Sequence, residues 1–123
     1  MNWTLDKSRP ICPQICEQLC TAIASGEFAP GDKLLSVREV AILAGVNPNT
    51  VQKSFEELER RGVIHSVRCS GWYVNENTDA AVEEVNSLRR KKSEEYLAAM
   101  AQLGCDAKAS VEYLAKLYGG NNE

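Results

Sequence analysis

Ser36-Val37-Arg38-Glu39-Val40-Ala41-Ile42-Leu43-Ala44-Gly45-Val46-Asn47-Pro48-Asn49-Thr50-Val51-Gln52-Lys53 is the stretch on which the fold of this chain turns. Ser36 and Glu39 have the Ser-x-x-Glu spacing of a capping box, in which each side chain satisfies the other residue's orphan backbone N–H, so a helix starts at Ser36. Val37, Val40, Ala41 and Ala44 make its apolar face. Gly45 closes it, because glycine takes the left-handed conformation of a helix end at little cost. Asn47 suits an N-cap and Pro48 a first helical position, so a second helix begins at once. Val51, Phe55 and Leu58 recur at i, i+4 and i+7 and are expected inside, which turns Asn49, Gln52, Lys53 and Glu56 outward. Gly62 ends this helix after Arg60-Arg61.

The same periodicity extends upstream. Ile11, Ile15, Leu19, Ala22 and Ile23 share one helical face, which predicts a helix over 10–25 stopped by Gly26. Glu27-Phe28-Ala29-Pro30-Gly31-Asp32 reads as a turn. Downstream, Val63–Arg68 and Trp72–Asn75 are rich in β-branched and aromatic residues and read as two short strands joined at Cys69-Ser70-Gly71. The polar run Asn75-Glu76-Asn77-Thr78 marks a boundary. A long helix is expected from about Asp79 to Leu103 and a shorter one from about Ala107 to Tyr118, with Gly104 as the stop and Asp106 as N-cap. Gly119 to Glu123 are expected to fray. The fold class is therefore mainly α with a small β-hairpin: an N-terminal winged helix-turn-helix over 1–76, followed by a two-helix segment over 77–123.

Bulk properties limit the partners. With 123 residues, the chain holds one domain, or one small domain and an appendage. The net charge is −3. Residues 1–76 carry 8 Lys/Arg against 9 Asp/Glu, and residues 77–123 carry 6 against 8. Neither half is basic, so any contact with nucleic acid has to come from a local patch. The beginning of the chain is polar and does not resemble a signal peptide, and no run approaches a membrane span. A cytoplasmic location with reduced thiols is expected.

Two helices joined by a tight glycine-containing turn make a helix-turn-helix, whose second helix can enter a major groove with its N-terminal residues near base edges. Asn and Gln can bond adenine bidentately, Thr can touch a phosphate or a thymine methyl, and Lys can meet a phosphate or a guanine. Arg68 and Ser70, near the hairpin tip, could reach the flanking groove or backbone. Helix pairs with a glycine turn are also common in proteins that never touch DNA, and the pattern alone does not decide between the two.

The residues themselves are more specific. Asp32–Ala41, Gly45–Lys53 and Leu58-Glu59-Arg60-Arg61-Gly62-Val63-Ile64 strongly resemble the GntR family of bacterial regulators, and Asn-Pro-Asn-Thr-Val-Gln-Lys with a short helical tail resembles its YtrA-like subfamily. The resemblance covers roughly residues 10–74; the tail matches in length and helical character. It implies a homodimeric DNA-binding regulator of transcription, most often a repressor and in some cases of a transporter operon, with double-stranded operator DNA and a second copy of itself as partners. The positions it places at DNA are Lys33, Ser36, Arg38, Asn47, Asn49, Thr50, Gln52, Lys53, Arg68, Ser70 and Gly71. Three departures stand out. Leu35 replaces the usual proline before the capping serine. Cys69-Ser70-Gly71 replaces a basic glycine turn. Trp72 stands where a small Thr is common, a bulk that weighs against inserting the wing.

Val82, Val85, Leu88, Tyr96, Met100 and Leu103 form one apolar stripe of the tail, and Val111, Leu114, Leu117 and Tyr118 another. Two helices alone bury both poorly, so dimerisation through them is expected over docking on the winged helix. Cys12, Cys16 and Cys20 share a face of the first helix, which raises a thiol- or metal-responsive alternative. The outer pair is about 12 Å apart along the axis, too far to share one zinc, and buried packing is the favoured reading. Cys69 and Cys105 show no partner pattern. His65 reads as an ordinary strand residue. Arg89-Arg90-Lys91-Lys92 is flanked by Glu83, Glu84, Glu94 and Glu95 at salt-bridge spacings and reads as a solvated face. A winged-helix module that binds proteins in place of DNA is the other alternative. No catalytic constellation, P-loop or dinucleotide fingerprint is present; neither an enzyme nor a cofactor or metal is expected. The effector is unknown, and a tail of this length is short for a ligand pocket.

Overall fold

A computed structural model describes residues 1–119. The elements run α1 (Ile11–Ala24), α2 (Val37–Ala44), α3 (Pro48–Arg60), β1 (Ile64–Val67), β2 (Gly71–Val74), α4 (Asp79–Gln102) and α5 (Ala107–Tyr118). They fall into two compact units, Met1–Asn86 and the residues from Ser87 onward. Of the stretch expected to fray, Gly119 is the helix C-cap of α5; 120–123 lie outside the described residues.

In the first unit α3 is the central strut. Its inner face, Val51, Ser54, Phe55 and Leu58, is fully buried. Ile15, Leu19 and Ile23 of α1, Val40 and Ala41 of α2, and Ile64 and Val74 of the hairpin complete one core with it. Cys16 and Cys20 belong to that core, and the Cys16 thiol donates to the Ser54 carbonyl at 3.6 Å. Trp72 meets Phe55 edge to face, with centroids 5.5 Å apart and planes at 76°, a favoured aromatic geometry. The bulk expected to obstruct the wing is thus turned inward and anchors the hairpin to α3.

The hairpin is antiparallel, with Ile64 opposite Val74 and Val67 opposite Gly71. Gly71 is the first residue of β2 and not part of the turn, which occupies Arg68, Cys69 and Ser70. Cys69 takes φ +64° there, a left-handed conformation unusual outside glycine. A third extended segment pairs with β2. Lys33 bridges Tyr73, Leu34 N–H donates to the Trp72 carbonyl at 2.8 Å, and Val74 N–H donates to Asp32 at 2.8 Å. Gly31 opens this segment at φ +83°, where an added Cβ would fall 2.5 Å from a Glu76 carboxylate oxygen. Sequence periodicity assigned 27–32 to a turn and found no strand after it, because a single ladder partner leaves no alternation to read.

The first turns of α4 contribute Ala81 and Val85 to the same core, so this compact unit continues past Glu76 to Asn86. Val85 is only 6% exposed and cannot serve a partner surface; periodicity reveals an apolar stripe but not what the stripe packs against. Val82, beside it in sequence, is exposed. Glu57 accepts from both Arg60 and Arg61, and Arg61 reaches Glu84 of α4 at 3.3 Å. The two guanidinium groups hold the Glu57 carboxyl down at about 2.

The residues before α1 are tied to it by two glutamines. Gln14 is buried, accepts from Asp6 N–H at 2.7 Å, and donates to the Asp6 and Pro10 carbonyls, each at 2.9 Å. Gln18 pairs with both backbone groups of Thr4. Trp3 and Leu5 pack against the core beneath.

The second unit contains the rest of α4 and α5. Gly104 ends the connection in a left-handed conformation, and Asp106 caps α5 by accepting from Ala109 N–H at 2.8 Å. Tyr96 and Leu97 of α4 and Val111 and Leu114 of α5 line one shallow groove. Leu103, Val111, Leu117 and Tyr118 are all more than half exposed.

Replacing Gln14 removes the partner of four part-buried backbone groups at once, the Arg9 carbonyl included. Gln14→Ala is expected to destabilise the protein by about 1–3 kcal/mol, the usual cost of leaving buried polar groups unpaired. The urea midpoint followed by tryptophan fluorescence measures it, through Trp3 and Trp72.

Candidate nucleic-acid interface

The helix-turn-helix is built from its caps. Ser36 N–H donates to the Glu39 carboxylate at 2.9 Å and Glu39 N–H donates to the Ser36 hydroxyl oxygen at 3.1 Å, which closes the capping box. These bonds hold the Glu39 carboxyl below its ordinary range. Gly45 turns the chain at φ +70° and its N–H bonds the Ala41 carbonyl. Asn49 N–H donates to the Asn47 side-chain oxygen at 2.7 Å, so α3 starts on an Asn cap followed by Pro48. The two caps set the angle at which α3 leaves α2.

Burial of Val51, Phe55 and Leu58 leaves the opposite face of α3 open. Asn47, Asn49 and Lys53 are exposed, and Thr50 and Gln52 are half-buried. The side chains of Asn49, Thr50 and Lys53 make no hydrogen bond or ion pair among the described residues. Asn47 has spent its oxygen on the cap and keeps its amide donors. Gln52 donates to Glu56 at 2.9 Å, a bond between helix neighbours that has to open before it could read a base. Ser36 likewise has its oxygen committed to the cap and keeps a hydroxyl donor. Arg38 is exposed and makes no ion pair.

On the wing, Arg68 and Ser70 are exposed at the turn, and Ser70 hydrogen bonds the Tyr73 hydroxyl. Lys33 runs beside Gly71, where an added Cβ would meet its Cε at 3.3 Å. His65 stacks on Tyr73 at 6.0 Å and donates through Nδ1 to Asn75 at 2.6 Å, which in turn donates to the Gly62 carbonyl. It locks the base of the wing and is structural.

The cations of residues 1–76 are unevenly paired. Three of the 8 basic side chains in 1–76 are matched with carboxylates: Arg9 with Asp6, and Arg60 and Arg61 with Glu57. Lys33, Arg38, Lys53, Arg68 and Lys7 make no ion pair among the described residues. On the acidic side, Glu59 is occupied in bonding Ser66 of β1 and Glu57 in its arginine fork. Pairing with Glu57 offsets the arginines at the far end of α3, whereas Glu56 and Glu59 bond only neutral groups and keep their charge. Cations without an ion pair among the described residues stand on α2, on α3 and on the wing. Lys7 was missed by sequence reasoning. Its Nζ donates to the Gly45 carbonyl at 2.7 Å, and only its basic character in a polar segment signalled it.

The sequence pattern described as "Bacterial regulatory proteins, gntR family" matches residues 13–74. The chain belongs to the GntR family. It is 46% identical over 111 residues to the transcriptional repressor YtrA of Bacillus subtilis, covering 90% of this chain and 81% of YtrA. A solved GntR family transcriptional regulator from Listeria monocytogenes superposes with a TM-score of 0.81 at 35% identity, over 91% of this chain and 98% of that one. The DNA-binding domain of AraR, solved in complex with operator ORE1, matches 58% of this chain and 82% of its own at a TM-score of 0.50 and 27% identity. This member is accordingly a transcription regulator with a winged helix-turn-helix, and not an enzyme. Among the described residues no helix is long and apolar enough to cross a membrane.

The cysteine stripe faces inward. Burial pushes the thiols of Cys16 and Cys20 up to about 12, with Cys12 next to Cys16 and Glu84 near Cys20 adding to the effect. No group of three or more His, Cys, Asp or Glu among the described residues could hold a metal ion. A thiol this weakly acidic carries about one thiolate in ten thousand at pH 8. With a disulfide-exchange reagent at pH 8, Cys69, exposed at the wing tip, is expected to react at once and Cys16 and Cys20 only on unfolding. Peptide mapping of the labelled protein checks the assignment.

Proposed function

We propose that this GntR member is a homodimeric repressor that binds operator DNA with Asn47, Asn49, Thr50 and Gln52 at base edges. Arg38, Lys53 and Ser36 hold the adjacent backbone, and Lys33, Arg68, Ser70 and Gly71 of the wing flank it. The observation that carries the reading is the outward, unpaired start of α3, with Asn49, Thr50 and Lys53 committed to no internal partner. The helix N-terminus adds a positive end toward phosphate. The repressor role rests on the likeness to YtrA.

A second copy of the chain supplies what the tail lacks. Leu103, Val111, Leu114, Leu117 and Tyr118, with Tyr96, Met100 and Leu88 half-buried beside them, present an apolar surface that a domain of 77–123 would bury in a dimer. Val82 lies on α4 as a further contact, whereas Val85 is committed to the core. A two-fold dimer would set two recognition helices about one helical turn of DNA apart, so the operator is a palindrome with that half-site spacing. The region upstream of its own gene is the first operator to test, and transporter genes beside it are the targets that the family suggests.

Footprinting on that region is expected to show two protected half-sites. Asn49→Ala is expected to weaken specific binding by roughly 5- to 150-fold, the range of one lost base contact, and Arg38→Ala to weaken cognate and scrambled DNA alike. Lys53→Ala should weaken cognate and scrambled DNA alike and lower the salt slope by about one. Binding that is independent of both sequence and salt would reject the reading, and Arg38→Ala without effect on regulation would favour a protein-interaction module. Sedimentation equilibrium should give a dimer, with Leu114→Glu returning it to monomer.

A further inference from the structure

Four of the five unpaired cations of residues 1–76 lie at positions already assigned to DNA. The fifth, Lys7, lies on a segment to which no role is assigned, yet its ammonium sits against the helix-turn-helix turn itself. We propose that Lys7 is a further phosphate-contacting residue, which brings the segment before α1 onto the DNA backbone beside the start of α3. This inference rests on the DNA-binding reading above.

The position of the ammonium supports it. Lys7 Nζ donates to the Gly45 carbonyl at 2.7 Å, and the side chain is exposed. Gly45 precedes the cap Asn47 by two residues, a span of at most about 7 Å of chain. An ammonium has three donors, and the carbonyl takes one. The remaining two have no partner among the described residues, and the side chain is exposed.

Electrostatics favours the same conclusion. The Gly45 carbonyl belongs to the C-terminal end of α2, where the helix dipole is negative. A phosphate approaching the N-terminus of α3 would be repelled by that end. Lys7 outweighs it and leaves a net positive charge beside the partial one of α3.

The segment is held rather than trailing. Both backbone groups of Asp6 are bonded by the buried Gln14, and Leu5 packs on the core. The Asp6 carboxylate accepts from Ser8 N–H at 3.0 Å, the Ser8 hydroxyl at 2.6 Å and Arg9 Nε at 2.9 Å. Arg9 is thereby neutralised, and Lys7 is the one cation of this segment left for a ligand. An added Cβ at Gly45 would approach Lys7 Nζ to 3.3 Å, which shows how closely the ammonium lies against the turn.

The test uses the full chain and the upstream DNA fragment that it protects, with affinity measured by fluorescence anisotropy across a series of KCl concentrations. Each phosphate contact on duplex DNA contributes about 0.9 to the slope of log affinity against log salt. Lys7→Ala and Lys7→Gln are expected to lower the slope by about 0.9 per protomer and to weaken cognate and scrambled DNA equally, and Lys7→Arg to restore both. Melting temperatures are recorded in parallel. An affinity loss with the wild-type slope retained means that Lys7 only caps α2, and overturns the proposal; so does a Lys7→Gln variant indistinguishable from wild type. Wild-type protein that shows no salt-dependent DNA binding overturns the DNA-binding reading itself, and this inference with it.

Discussion

The burial of one face of α3 governs the rest of the molecule. A helix is a rigid cylinder, so placing Val51, Phe55 and Leu58 against α1, α2 and the hairpin leaves no freedom in where Asn49 and Lys53 point. The same contact positions the wing, because Trp72 reaches the edge of Phe55 from β2. The hairpin is thereby anchored to α3 through the same side chain that seats α3 in the core. Loss of volume at Phe55 would loosen both at once, even though it touches nothing outside the protein.

Charge is organised by subtraction. An acidic protein can still offer a cationic surface when its carboxylates are engaged in intramolecular work. Glu57 gathers Arg60 and Arg61, Glu59 holds the start of the hairpin, Glu39 completes a cap, and Asp6 folds its own turn. Glu59 and Glu39 bond neutral groups and keep their charge. Among the described residues, cations without an ion pair stand both around the helix-turn-helix and along Arg89-Arg90-Lys91-Lys92 of α4. Net charge is a poor guide to nucleic-acid binding where the pairing is this uneven, since binding answers to local potential within about a Debye length.

Much of this was legible in the sequence. Local chemistry wrote the helix ends: the Ser36–Glu39 box, the Asn47 cap before Pro48, Gly45 and Gly104 in left-handed conformations, and the Asp106 cap all follow from residue type and spacing. The outward face of α3 followed from its inward one. What escaped depends on partners distant in sequence. The Lys33–Tyr73 bridge uses backbone groups that any residue carries. Gln14 looks like an ordinary polar helix residue until the chain before α1 folds over it. Val85 belongs to a stripe whose period is clear and whose neighbour is not, and Trp72 appeared as an obstruction because its direction depends on where Phe55 lies. Lys7 became visible only once Gly45 stood beside it.

Cys69, at φ +64°, occupies a wing-tip position where glycine would rest without strain. A side chain there costs about 1–2 kcal/mol in the folded protein, while glycine would enlarge the unfolded ensemble by about 0.4–1 kcal/mol. The two penalties oppose each other, and the strain of the side chain is the larger. Cys69 is therefore kept at the tip against a mild folding preference for glycine, a margin small enough for the buried base of the hairpin to absorb.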